Sequence, residues 1–401
     1  MTERRHDIDA LRVFAFALLI LYHVGMVYVD DWGFHIKSPH QWEWLQWPMV
    51  AVNRWRMELI FLLSGLGLGL SRSATRPARM AGRRSRMLLV PLLFGMFAIV
   101  PVQAWVEARS VGAFDGGFLT FLVRYWQLRP WPEGNFAGAE FGVTWNHLWY
   151  LAYLWVYTVL LALLLPAIRA IASRFPERPA PRLPAGVRTI ALLLIPAVWF
   201  WAVLYWLEPL FGDTKELVGD WAQHAQYLPV FLFGFVAARR QTIWHEVITM
   251  RNAALVLAMT GLGGYLFLRV LGRVLSPADI DALPDWNWRA ISDATHAVYA
   301  WNALIAILGH AAVHLNQPFR WLSYANRAVY PWYILHQSLI IPIAFVLIPL
   351  GLPGAVEASL VLVGTIAGCA LIHHFVVLPM PLVRPLFGVS VPPRPAAAPA
   401  T

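Results

Sequence analysis

Apolar runs of about 20 residues follow one another through the whole chain, each long enough to cross a hydrocarbon layer of roughly 30 Å as a helix. Short stretches of polar and charged residues separate them. The pattern predicts ten spanning helices, at approximately 9–29, 51–71, 87–107, 143–168, 189–210, 222–238, 252–272, 290–315, 328–349 and 355–379. The expected fold class is therefore all-α, a polytopic membrane helix bundle with about ten transmembrane helices. An even number returns the chain to the side on which it began.

Charge tests that count. The net charge is +9, and the basic residues sit in short clusters between the apolar runs. Loops on the cytoplasmic side of a membrane look like this, whereas a nucleic-acid partner is not expected. With the N-terminus placed inside, the inner segments collect Arg4, Arg5, Arg79, Arg239, Arg240 and Arg327, while Asp30, Asp31, Asp213 and Glu216 fall outside. Loop after loop obeys the positive-inside rule, so both termini are expected to be cytoplasmic.

Composition closes off other classes. Hydrophobic residues make up 59% of the chain and charged residues 13%, roughly half the charged share of a soluble domain. No soluble core could hide so much apolar surface, which excludes a soluble α/β enzyme. The single cysteine, Cys369, excludes an intrachain disulfide and a cysteine metal cluster. The first apolar run is long, carries Arg12 and His23 and lacks a small-residue cleavage site, so it reads as a helix and not as a signal peptide. A membrane domain is expected over residues 1–385, with a Pro-rich cytoplasmic linker at Pro176–Pro184 and a disordered tail over 386–401. The longest loop, near Ala108–Gly142, falls outside and is aromatic enough to pack over the bundle.

Ionisable residues inside a bilayer are costly, which makes each of them a functional candidate. Arg12 and His23 lie eleven residues apart on the first helix, three turns plus about 20°, so they share one face some 16 Å apart along the axis. Spacing alone fits equally a snorkelling arginine with a hydrogen-bonded core histidine.

At this point the chain resembles a known family. The run DIDALRVFAFALLILYH is similar to the first helix of the acyltransferase-3 group of membrane acyltransferases, with its arginine, ten residues and histidine. ELIFLLSG at Glu58–Gly65 resembles that family's acidic second helix, and RRSRMLLVP at Arg83–Pro91 its Arg-x-x-Arg motif. HLWYLAYL at His147–Leu154 and YPWYILHQSLI at Tyr330–Ile340 resemble its later signatures. Finer texture, including WGFHIK and RPLFGV, looks closest to the glucan-succinyltransferase branch that contains glucans biosynthesis protein C. The second helix departs from the family in carrying one Phe where two are common. The stretch from the fifth to the eighth helix carries little that aligns.

The resemblance implies transfer of a short acyl group, succinyl or acetyl, from cytoplasmic acyl-coenzyme A to a glycan hydroxyl beyond a bacterial inner membrane. Acyl transfer to a hydroxyl needs a base and a means of stabilising an oxyanion. Imidazole titrates near neutrality, and the resemblance assigns His23 as the catalytic base. Arg12, three turns nearer the cytoplasm, would keep the donor's phosphates at that end while the thioester reaches His23. Arg83 and Arg86 become contacts for coenzyme A phosphates, the task guanidinium groups do well, and Arg84 faces lipid headgroups or joins them. Without the family these three would be ordinary topology charge.

Glu58 is placed at the depth of His23, each about six residues from the outer end of its helix, and is expected to orient that imidazole. An acid favoured by a helix N-terminus is the alternative. His147 and His336 could bind acceptor or donor, or bridge helices by hydrogen bonds. Trp149 belongs to a set of tryptophans that map mainly to the outer side, where flat rings suit a sugar as well as a membrane interface. No metal is expected, since His373 and His374 diverge by about 100° on a helix. The rival class is a transporter or flippase of a lipid or glycan. No paired inverted halves are visible to support it.

Overall fold

The computed structural model describes residues 4–71, 75–174, 184–276, 279 and 288–389. Most of the expected Pro176–Pro184 linker, and the tail from residue 390, lie outside them. Among the described residues the regular structure is helical, apart from an isolated bridge between Val29 and Trp42. The helices are α1 (His6–Tyr28), α2 (Gln46–Gly69), α3 (Pro77–Phe94), α4 (Pro101–Ser110), α5 (Phe118–Tyr125), α6 (Trp149–Arg174) and α7 (Ala185–Thr189). They continue with α8 (Ile195–Ala202), α9 (Glu208–Phe211), α10 (Trp221–Ala237), α11 (Gln241–Val274), α12 (Trp288–His314), α13 (Leu322–Leu347) and α14 (Gly354–Leu371).

Among the described residues, eight helical stretches are long and apolar enough to cross a membrane: His6–Tyr28, Pro77–Ser110, Asn146–Ala170, Gly186–Phe211, Gln241–Val274, Trp288–His314, Leu322–Leu350 and Gly354–Val377. Each overlaps one of the ten expected spans. The two other expected spans are also helices, but α2 carries Arg54, Arg56 and Glu58, and α10 has only 17 residues. Hydropathy also underestimated α11, which begins at Gln241 and includes the polar run before residue 252.

By contacts the chain divides into two compact units: Met1–Leu19 with Glu43–Ala81 and Val156–Leu322, and Ile20–Trp42 with Gly82–Trp155 and Ser323–Thr401. In the first, α2 crosses α10 with backbones nearly touching. A Cβ on Gly65 would overlap the Phe231 carbonyl, and one on Gly234 the Leu62 carbonyl. The small residues of GLGLG therefore serve close helix packing, as in other membrane bundles. Gly261 plays the same part between α11 and α12, where a Cβ would meet the Tyr299 nitrogen at 2.7 Å.

Several of these helices contain π-turns, which leave carbonyls without their usual amide partners. Neighbouring side chains supply the donors. Trp301 donates to the Leu192 carbonyl at 2.7 Å and Asn302 to that of Leu193 at 3.3 Å, both in the π-turn Ile190–Leu194. In the second unit α3 passes through a π-turn at Gly95–Ile99 into α4, where Pro101 sits at the helix start and needs no amide partner. Tyr125 donates to the Met96 carbonyl at 3.2 Å and Trp126 to that of Phe97 at 3.0 Å. The aromatic loop thus folds back onto this helix, and Phe121, Tyr125, Trp131 and Phe136 form a small core with Ala104 and Ala108. Residues 386–389 were expected in the tail, yet Phe387 is buried and packs edge-on against Phe94 at 5.3 Å.

Candidate active site

Three histidines from three helices line up within the second unit. His23 comes from the C-terminal half of α1, His336 from the middle of α13, and His147 from the turn that opens α6. Ring centroids step 5.0 Å from His23 to His336 and 5.1 Å from His336 to His147. His336 is fully buried, and His23 is half-buried.

The hydrogen bonds fix the tautomers. Nδ1 of His336 lies 2.7 Å from the Tyr333 carbonyl and 3.2 Å from that of Trp332. A carbonyl only accepts, so Nδ1 carries the proton and Nε2 of a neutral His336 carries a lone pair. That Nε2 stands 2.9 Å from Nδ1 of His23. His23 must therefore donate through Nδ1, which leaves its own lone pair on Nε2. A ring so held can take a proton at Nε2, and the resulting imidazolium keeps its Nδ1–H aimed at His336. The His336 ring thus stands where a carboxylate stands in a Ser-His-Asp triad.

His147 is braced at both nitrogens. Nε2 donates to the carbonyls of Tyr333 and Ile334 at 3.1 and 3.2 Å, and Nδ1 accepts from Gln103 Nε2 at 3.3 Å. The Tyr333 hydroxyl donates back to the His147 carbonyl at 2.6 Å. Of the two readings open for His147, helix bridging is the one that this geometry supports.

Gln103, fully buried on α4, is the hub of an amide network. Its Nε2 also donates to Ser338 Oγ at 2.5 Å, and its Oε1 accepts from Asn146 at 3.1 Å and from Gln337 at 3.2 Å. Gln337 Nε2 has a second hydrogen, which it donates to Nε2 of His35 at 2.9 Å. Nδ1 of His35 then donates to Glu107 Oε2 at 2.5 Å, and Glu107 Oε1 accepts from the Ala137 amide at 3.2 Å. The Gln103 and Gln337 amides and the His35 ring have all their donors facing acceptors, as buried polar groups require.

The pairing expected between Glu58 and His23 is replaced by two others. Glu58, buried in the first unit, accepts from Gln226 Nε2 on α10 at 2.6 Å, while the His23 ring meets His336. Equal depth along two helices was the basis for that expectation, and it leaves the rotation of each helix free. Arg12 also belongs to the first unit, with Nη1 3.4 Å from Asp9 and its guanidinium against Gly67 of α2, in the space a Cβ there would take. Arg83 and Arg86 are exposed one turn apart on α3 and make no hydrogen bond or ion pair among the described residues. Arg84 is half-buried, within electrostatic reach of Tyr330. Trp149 is buried edge-on against Tyr153 at 4.9 Å.

An imidazole of fixed tautomer lies within an apolar helical chain. Residues 5–374 match the family model of the Acyl_transf_3 acyltransferase domain. The chain belongs to the acyltransferase-3 family. No curated protein and no solved structure matches it. As an acyltransferase with many apolar helices, it is read as a multi-pass membrane enzyme.

Sequence reading of this acyltransferase passed over His35, Gln103, Glu107, Gln337 and Ser338. Three of them stand inside the strings that carried the resemblance, WGFHIK and ILHQSLI. Gln103 also had a signal of its own, an amide side chain within an apolar span.

Proposed function

We propose that this acyltransferase moves a short acyl group, succinyl in the first place, from acyl-coenzyme A to a glucan hydroxyl on the outer side of a bacterial inner membrane. The observation that carries the reading is the His23–His336 pair, with its tautomer set by the Tyr333 carbonyl. Nε2 of His23 takes the proton of the acceptor hydroxyl as its oxygen attacks the thioester carbonyl. The carbon–sulfur bond then breaks, the imidazolium returns its proton to the departing thiolate, and an ester and free coenzyme A remain. His336 holds the imidazolium in place throughout.

Donor recognition falls to Arg83 and Arg86, whose exposed guanidinium groups suit bidentate contact with the coenzyme A phosphates. Arg12 contributes positive charge near the start of α1. Ten crossings with both termini cytoplasmic fit the basic clusters, and cysteine labelling in a Cys369→Ala background reads the side of each loop.

The test is release of free coenzyme A by purified protein supplied with succinyl-coenzyme A and a soluble glucan. Release should depend on the glucan and vanish in His23→Ala. Release that ignores the acceptor, or survives that substitution in a folded protein, removes this reading.

A further inference from the structure

The segment Val29–Trp42 leaves the C-terminal end of α1 and turns back over it. Four fastenings hold it there. Lys37 Nζ donates to the Met26 carbonyl at 2.9 Å and to that of Val29, capping the last turn of α1. The Ser38 amide donates to the Val27 carbonyl at 3.0 Å, and His40 Nε2 to that of Leu352 at 2.9 Å. The fourth is His35, gripped between Glu107 on α4 and Gln337 on α13.

This arrangement holds one ring beside the base. Phe34, next to His35, lies nearly parallel to His23, with centroids 6.3 Å apart and an interplanar angle of 16°. Gly33, which precedes it in the chain, is exposed, and a Cβ there would meet nothing within 4 Å. The backbone conformation at Gly33 does not demand glycine either. Phe34 itself is half-buried, so part of a flat apolar ring reaches the surface beside the His23 imidazole.

We infer that Phe34 is an acceptor-positioning residue, and that Glu107, acting through His35, holds it in place. The inference rests on the proposed transfer to a glycan hydroxyl. An apolar sugar face set against the exposed part of the Phe34 ring keeps its hydroxyl beside the neighbouring imidazole. Glu107 touches no reacting atom. It fixes the Nδ1–H tautomer of His35, which in turn lets Gln337 donate to Nε2 and keeps the segment down.

Steady-state kinetics of the full-length protein in nanodiscs test this, with succinyl-coenzyme A and a soluble β-glucan oligosaccharide as probes. Phe34→Leu should raise the acceptor KM about tenfold and leave the donor KM within about twofold, because ground-state acceptor binding is what is lost. Phe34→Tyr, which keeps a flat ring, should stay near wild type. Glu107→Ala should raise the acceptor KM in the same sense, and Glu107→Gln, whose amide oxygen still accepts from His35, should restore it. An unchanged acceptor KM in Phe34→Leu, or donor and acceptor KM rising together, overturns the assignment while the parent reading stands. A wild type that releases no coenzyme A in response to glucan overturns both.

Discussion

His23 and His336 meet Nδ1 to Nε2 at 2.9 Å, and the far nitrogen of His336 is tied to a backbone carbonyl three residues earlier on its own helix. An imidazole oriented in this way is ready to accept a proton without first choosing a tautomer. The same Tyr333 carbonyl also takes a hydrogen bond from His147, so α6 and α13 are locked together where the tautomer is set.

Removing the base and removing its support should therefore act as one change. His23→Ala is expected to abolish transfer. His336→Leu, which removes the acceptor that Nδ1–H of His23 faces, should lower kcat about 100-fold, within the usual range for a positioned general base. His336→Gln keeps an oxygen that can accept and should lose less. The double substitution should be no slower than His23→Ala alone, since groups that act as a unit are not additive. Single-turnover rates of coenzyme A release check this, and a double mutant slower than His23→Ala alone separates the two histidines.

Arg83→Ala and Arg86→Ala address the donor. Each exposed guanidinium lost should raise the donor KM about tenfold or more, the worth of a charge-assisted hydrogen bond, with kcat little changed. Titration of succinyl-coenzyme A at saturating glucan gives both constants. Unchanged donor KM in both variants returns these residues to topology charge alone.

Much of this protein was legible in its sequence because membrane helices obey a simple rule of length and polarity. Eight spans announce themselves in that way, and α2 and α10 declare themselves as helices although charge and length set them apart. His23 and His336 were visible as costly residues in apolar runs. Their mutual contact was not, because the two are 313 residues apart and sequence does not give helix rotation. For the same reason Glu58 was assigned to the wrong neighbour. His35 and Glu107 give no such signal, since one lies in a loop and the other near a helix end, where polar residues are ordinary.

Tyr125 gives a prediction about alkaline pH. Its hydroxyl accepts from the Thr144 amide at 3.0 Å and lies 3.2 Å from the carbonyls of Thr144 and Met96, tying the aromatic loop to α3 and to the turn before His147. Burial pushes its pKa from 10.0 up to about 12, against a hydrogen bond to Thr144 that lowers it. The folded value is raised, so the stability this phenol contributes is complete below pH 10.0 and fades as pH climbs through about 12. Protection of the 118–144 amides in hydrogen exchange should weaken over that window. In Tyr125→Phe the Thr144 amide loses its partner, costing about 1–3 kcal/mol, and the alkaline step should disappear. An alkaline transition of equal size in Tyr125→Phe would assign it to another group.

Glu58 supplies the sharpest contrast between what depth implied and what packing gives. It sits on α2 in the first unit, 5% exposed, and accepts from a Gln226 side chain that is itself 4% exposed on α10. These are the helices whose glycines bring their backbones together, so the hydrogen bond closes an interface already tight enough to exclude water. A group in that position stabilises the helix pair and need not touch a proton in transit. Glu58→Gln keeps an oxygen for Gln226 and should leave kcat within about twofold of wild type, the result expected when no transition-state contact is lost. Glu58→Ala strands the buried Gln226 amide and should cost about 1–3 kcal/mol, seen as a lower unfolding temperature in detergent with kcat per folded molecule unchanged. A large fall in kcat for Glu58→Gln at undiminished thermal stability would instead bring the carboxylate back into the chemistry.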